Sequence, residues 1–130
     1  MRLASRGPDF ARQERADRLR RERAAAQPLR VTFPKVQLLR LELSFEGTAN
    51  PPTFQAHEMH PAARAYFEFP CPFANCSGQF DLNVAVNEAM AHPEHQAHGS
   101  LACRGSRAGA NATAEPCQLH LSYRITATCG

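Results

Sequence analysis

Two stretches of the chain alternate between apolar and polar side chains and predict β-strands. Residues 36–46 and residues 118–126 both show a period of two. The apolar positions of the first stretch are Leu39, Leu41, Leu43 and Phe45. Because successive side chains of a strand point to opposite faces, this alternation predicts two half-buried strands.

Shorter segments complete a predicted antiparallel sheet. Its strands are expected at residues 31–46, 64–70, 79–82, 100–103 and 118–126. Residues 83–91 favour one short helix, with Ala85, Ala89 and Met90 near one face. Residues 53–63 predict no distinct element, since Pro61 opposes a long one. The predicted fold class is therefore α+β and β-rich, a small antiparallel sheet with one short helix.

The N-terminal segment has a different pattern. Residues 8–26 are rich in the helix formers Ala, Arg, Glu and Leu. Only Phe10 and Leu19 are large and apolar there, too few for a stripe that packs on a core. We expect a marginal helix or a disordered arm that leaves the fold. The predicted organisation is a basic arm over residues 1–30 and a β-rich domain over residues 31–130.

Positive charge is concentrated in this arm. Residues 1–30 hold nine arginines and four acidic residues, a net +5, whereas residues 31–130 hold six basic and eight acidic residues, a net −2. Six arginines fall within twelve residues: Arg12, Arg15, Arg18, Arg20, Arg21 and Arg23. Arginine forks match phosphate groups, so the arm is a candidate nucleic-acid contact. The interleaved acidic residues weaken its field, and protein docking or a solvated segment are the alternatives.

Four of the five cysteines lie at strand ends or in the connecting loops. They are Cys71, Cys76, Cys103 and Cys117, spaced C-x4-C, then 26 residues, then C-x13-C. Two close pairs carried by hairpins can converge on one tetrahedral zinc ion. A glycine follows two residues after one member of each pair, and it suits a backbone that turns closely over sulfur.

These residues resemble a zinc ribbon, in which two cysteine-bearing hairpin loops meet at one end of a small antiparallel sheet. The resemblance spans about residues 64–126. It rests on CPFANC followed by SG, and on CRG followed by PC and an alternating strand. It implies one structural Zn²⁺ bound by Cys71 and Cys76 as the first ligand pair and by Cys103 and Cys117 as the second.

The sequence leaves other uses of these cysteines open. The 13-residue spacing of the second pair is long, so three cysteines with His98 or His120 form an alternative ligand set. Disulfides or unrelated core thiols are a further alternative. The fifth cysteine, Cys129, reads as a spare thiol near a frayed terminus. Four thiolates with one Zn²⁺ would carry a charge of −2, and Arg104 and Arg107 are candidates to compensate it.

Catalytic motifs are weak in this sequence. His92, His95 and His98 recur at intervals of three, but they lack the H-E-x-x-H arrangement and suit a polar loop. No nucleophile elbow or phosphate-cradling glycine loop is present in the sequence. We therefore expect no enzymatic activity and no small-molecule substrate.

Targeting signals are also weak. No apolar run approaches the roughly 18 residues of a membrane span. The basic N-terminus lacks the apolar stretch of a secretory signal. We therefore expect a cytoplasmic protein without membrane contact, in which clustered cysteines hold metal.

The combined prediction is a non-enzymatic zinc-binding module that contacts nucleic acid or a nucleoprotein complex through its arginine-rich arm. The alternative is a zinc-stabilised protein-interaction adaptor with no nucleic-acid contact.

Overall fold

A computed structural model of the chain describes residues 8–47, 50–73, 76–103, 106–108, 114–117 and 119–130. The helices are α1 (Pro8–Ala25), α2 (Leu29–Thr32) and α3 (Asn83–Ala91). The strands are β1 (Val36–Gly47), β2 (Asn50–Met59), β3 (Glu68–Pro70), β4 (Gln79–Asp81), β5 (Gln96–Ala102), β6 (Ser106–Ala108), β7 (Ala114–Pro116) and β8 (His120–Cys129). The predicted α+β, β-rich class with antiparallel sheets is confirmed.

The main sheet has four strands in the order β2-β1-β8-β5, and each neighbouring pair is antiparallel. Its two central strands, β1 and β8, contain the two alternating stretches of the sequence. Their register places Leu41 opposite Ile125 and Phe45 opposite Leu121 on the inner face. All four of these side chains are buried, so the period of two does mark the face that packs on the core.

A second layer covers the inner face of the sheet. It consists of α3 and of the hairpin formed by β3 and β4. Phe80 of the hairpin lies against Phe45 with ring centroids 5.7 Å apart. The buried residues Val86 and Ala89 of α3 join the same core. This layer carries the connection between β3 and β4 to the end of the sheet where β5 finishes and β8 begins.

The edge strands of the sheet were only partly predicted. The expectation of no distinct element over residues 53–63 was wrong, because β2 occupies Asn50–Met59. The strand expected at residues 100–103 begins earlier, at Gln96. Its inward positions there are Ala97 and Gly99. Because alanine and glycine are so small, these inward positions do not stand out as hydrophobic, and the sequence shows no alternation there.

Several predicted boundaries also shift. The strand expected over residues 31–46 begins at Val36, because the preceding Leu29–Thr32 forms α2 with Leu29 fully buried. Of the strand expected over residues 64–70, only Glu68–Pro70 forms a strand, while Arg64 makes an isolated antiparallel bridge with Pro28. β8 continues to Cys129, which pairs with Val36, so Cys129 belongs to a strand rather than to a frayed end.

The N-terminal helix does not leave the fold as expected. Leu19 of α1 is only 5% exposed. Helix α1 also contacts β3, and one of its polar side chains bonds to the connection between β3 and β4. Within the described part of the chain, no helix combines the length and the apolar character needed to cross a bilayer.

Candidate metal centre

The four cysteines converge from three places in the fold. Cys71 and Cys76 lie in the connection between β3 and β4, whereas Cys103 directly follows β5 and Cys117 comes shortly before β8. Because β5 and β8 are antiparallel neighbours, the chain leaves and re-enters the sheet at adjacent points, and the Cys103 N–H donates to the Leu119 carbonyl over 3.0 Å. The long spacing of the second pair is thereby explained, since the paired strands β6 and β7 lie within it.

The sulfur positions fit one tetrahedral metal ion. All four Sγ atoms lie within 4.8 Å of one another. The Sγ atoms of Cys71 and Cys117 are 3.8 Å apart, and those of Cys76 and Cys103 are 3.6 Å apart. A tetrahedron with Zn–S bonds of about 2.3 Å has edges of about 3.8 Å. A disulfide would need an S–S distance of about 2.05 Å, and all four residues are free cysteines.

Main-chain hydrogen bonds hold the first ligand pair in a tight loop. The Cys71 N–H donates to the Gly78 carbonyl over 3.0 Å, and the Gly78 N–H donates to Cys76 Sγ over 3.2 Å. The second contact is typical of cysteines that carry negative charge, because the N–H dipole stabilises a thiolate. Gly78 does not take a positive φ, so its contribution is this close approach of its N–H to sulfur. The matching Gly105 lies outside the described residues.

The environment shifts the thiol pKa values in two directions. Burial raises the pKa of Cys71 above its ordinary range, and the other three cysteines add to that rise. Burial also raises the pKa of Cys76, but hydrogen bonds from the Gly78 N–H and from the other three thiols outweigh it and lower the pKa overall. Cys71 and Cys76 are therefore shifted in opposite directions within one buried group of sulfurs, and a bound divalent cation would favour the thiolate form of both.

The histidine alternatives do not reach this group. The described residues that could hold a metal ion together are the four cysteines alone. His98 and His120 are both exposed, on outward positions of β5 and β8. His92 instead accepts a hydrogen bond at Nδ1 from the Glu94 N–H over 3.0 Å. The geometry thus favours four sulfur ligands over three sulfurs and an imidazole.

Sequence reasoning missed one residue at this centre, Arg15 of α1. Its Nη1 donates to the Cys76 carbonyl over 2.9 Å and to the Gly78 carbonyl over 2.7 Å. Burial lowers the pKa of Arg15, while the negative charge that Cys76, Cys71 and Cys103 would carry acts to raise it. Of the two arginines expected to compensate the site, Arg104 and the side chain of Arg107 lie outside the described residues.

The other arginines of α1 are divided between the fold and the surface. Arg18 donates to the Gln79 side chain of β4. The guanidinium of Arg23 lies over the Tyr66 ring, 5.3 Å from its centroid, although the residue is largely exposed. Arg20 pairs with Asp17 within the helix, and Arg21 is exposed. Arg12 is half-buried. The helix thus presents two sides, one contacting the fold and one bearing exposed arginines.

The outer face of the four-stranded sheet is a second notable surface. It holds an open concavity of about 520 Å³, whose lining includes Glu42, Phe54, His98 and Arg124. Phe54 is 61% exposed there. This face therefore combines a large exposed aromatic ring with charged side chains of both signs.

Comparisons with known proteins give no family for the chain. No protein-family model matches it. Neither the curated proteins nor the solved structures gave a significant match.

Proposed function

We propose that the chain is a non-enzymatic module in which one Zn²⁺, bound by Cys71, Cys76, Cys103 and Cys117, holds the fold together in a zinc-ribbon-like arrangement. The observation that carries the proposal is the convergence of four buried sulfurs within 4.8 Å of one another. Four sulfur donors grouped this closely suit zinc or iron. Four protein ligands leave no open position for a substrate, which favours a structural metal.

Metal content tests the proposal directly. Native mass spectrometry of reduced protein should give one zinc per chain, and a denaturing spectrum should give the bare polypeptide. The Cys117→Ser variant should lose stoichiometric zinc, because it removes one of four ligands. Cys129→Ser is the matched control and should retain zinc, since Cys129 lies in β8 outside the cluster. A wild-type chain without stoichiometric metal would refute the proposal.

For the partner, the proposal remains a nucleic acid or nucleoprotein complex contacted through the arginine-rich helix. It is supported by Arg20 and Arg21, which face outward from α1 and carry positive charge near the surface. Arg15 and Arg18 bond to the fold, so the positive charge available to a partner comes from the other arginines of α1. Charge contacts to phosphate weaken with salt, which gives the proposal a measurable signature.

A salt titration separates nucleic-acid binding from the alternative. Binding of a labelled single-stranded RNA and a DNA duplex should weaken as salt rises, with a smaller salt slope for the variant Arg20→Glu, Arg21→Glu. Arg124→Glu removes a positive charge on the outer face of the sheet and should leave that slope unchanged. Equal effects of the two charge reversals, or no binding at low salt, would remove the nucleic-acid proposal.

The second candidate is a zinc-stabilised protein-interaction adaptor. The exposed ring of Phe54 beside the concavity on the outer sheet face supports it. In that case Phe54→Ala should weaken binding to a partner protein while the double glutamate variant of α1 binds as the wild type does. An unchanged affinity of Phe54→Ala would exclude this surface as the adaptor site.

A further inference from the structure

We propose that Arg15 is a positioning residue of the metal centre and that it couples the docking of α1 to metal binding. This inference rests on the proposed zinc site and names how that site is regulated. It gives the N-terminal helix a function beyond contact with a partner, because the state of the metal then determines how tightly the helix is docked on the fold.

The guanidinium of Arg15 connects two peptide units next to the ligand sulfurs. It donates to the carbonyls of Cys76 and Gly78, residues more than 60 positions away in sequence. The Gly78 carbonyl also accepts from the Cys71 N–H, and the Gly78 N–H donates to Cys76 Sγ. One side chain of α1 therefore fixes the loop whose main chain orients both Cys71 and Cys76.

Charge supplies the coupling between metal and helix. Metal binding requires thiolates, so the loaded centre of four thiolates and one Zn²⁺ carries a net charge of −2. A positive guanidinium on its main chain stabilises that buried negative charge. Without the metal, the guanidinium keeps its two hydrogen bonds, but the loop that it holds is no longer tied to the other two ligands through an ion. The metal-bound state therefore holds Arg15, and with it α1, more tightly than the metal-free state does.

Other contacts of α1 lie farther along the helix and are made with residues that are not metal ligands. Leu19 is buried, Glu22 Oε1 accepts from the Tyr66 hydroxyl over 2.5 Å, and Arg23 lies over the Tyr66 ring. These contacts hold α1 on β3 in both states, so Arg15 is the part of the helix that senses the metal. Coupling between two equilibria is reciprocal, so docking of α1 must raise zinc affinity by the factor by which zinc favours docking.

The test compares zinc affinity and helix protection in full-length variants. Competition with a chromophoric chelator should show that Arg15→Ala weakens zinc binding roughly 10- to 100-fold, as the loss of an orienting partner does. Arg15→Lys keeps the positive charge but loses the forked pair of donors, so its zinc affinity should lie between those of the wild type and Arg15→Ala. Arg30→Ala removes an exposed arginine outside α1 and is the matched control, which should bind zinc as the wild type does.

Hydrogen exchange followed by mass spectrometry gives the second readout. In zinc-loaded protein, Arg15→Ala should speed exchange over Pro8–Ala25 while peptides covering α3 keep wild-type protection. A purely structural arginine would change helix protection without changing zinc affinity. Equal zinc affinities for Arg15→Ala and Arg30→Ala would therefore overturn the inference and leave the zinc site standing. A wild-type chain that binds no zinc would overturn both together.

Discussion

At the scale of single residues, Gly99 and Tyr123 face each other across the pairing of β5 with β8. A Cβ added at Gly99 would lie 2.6 Å from the Tyr123 hydroxyl oxygen and 2.9 Å from the ring carbon that carries it. No side chain fits there without moving the ring. The glycine therefore provides the space for an aromatic ring in the inner layer of the sheet.

We predict that Gly99→Ala lowers the free energy of unfolding by about 1–2 kcal/mol, because the ring must leave its position against the strand. Urea unfolding followed by circular dichroism measures the change. Adding Tyr123→Leu to the alanine variant should recover part of the loss, since the clash then disappears. A wild-type unfolding midpoint for Gly99→Ala would show that the ring moves freely.

The second prediction at this scale concerns His57, whose ring stacks on Phe69 with centroids 4.7 Å apart. Burial and the nearby positive charge of Arg23 lower the pKa of His57 from its usual 6.5. The folded state then binds the proton more weakly than the unfolded state. Its contribution to stability is complete above pH 6.5 and declines as the pH falls from there towards the lowered value.

His57→Gln should therefore flatten the stability profile between pH 7 and pH 5. Protons also compete with the metal for the thiols, but they do so equally in the wild type and in the variant. The difference between the two stability profiles therefore reports on His57 alone. Chemical denaturation at several pH values, with zinc in excess, measures the two profiles. Parallel profiles over this range would mean that His57 is as easily protonated in the fold as in the unfolded chain.

At the scale of elements, the strands with large inward side chains could be predicted and the others could not. β1 places Leu39, Leu41 and Leu43 on its buried face, so its period is visible in the sequence. β2 has two prolines directly after its first residue, and its inward positions include Gln55 and His57, so an edge strand without apolar alternation was missed. The helix α3 was found because its apolar residues share one face.

The docking of α1 was missed for a related reason. Its contacts with the fold include those of Arg15, Arg18, Leu19 and Glu22, spaced by one, three or four residues, and of these four only Leu19 is apolar. Periodicity of hydrophobic residues cannot reveal a face made of hydrogen-bonding side chains. The four-cysteine site, in contrast, could be proposed because ligand chemistry limits which residues can take part.

We predict that Leu19→Ala lowers the free energy of unfolding by about 2 kcal/mol, since a nearly buried leucine is truncated in the contact between α1 and the fold. Val84→Ala on α3 is the control, because Val84 is 72% exposed, and it should stay within about 0.5 kcal/mol of wild type. Thermal and urea unfolding provide the comparison. Equal stabilities of the two variants would mean that α1 adds nothing to the fold.

At the scale of the whole molecule, the four-cysteine cluster brings together three parts of the chain that are distant in sequence. It connects the β3–β4 loop with the end of β5 and the start of β8. The buried core is modest for a chain of 130 residues that contains no tryptophan. Structural zinc contributes on the order of 10 kcal/mol to folding, comparable to the whole stability of a small domain.

Removal of the metal should therefore unfold the C-terminal half of the chain at neutral pH. A chelator in excess should lower the thermal midpoint by well over 10 °C, and added zinc should restore it under reducing conditions. Circular dichroism with and without chelator measures the shift, and Cys117→Ser should show the low midpoint in both conditions. The same midpoint before and after complete metal removal would contradict this prediction.

The placement of Cys103 and Cys117 also bears on how this fold tolerates change in length. Both residues lie in the same four-cysteine cluster, so the 13 residues between them start and finish close together. Lengthening a closed excursion of this kind costs only about 0.6 kcal/mol for each doubling. A foreign peptide inserted between the two cysteines would therefore be presented with both of its ends held in place, provided that a metal ion binds both cysteines.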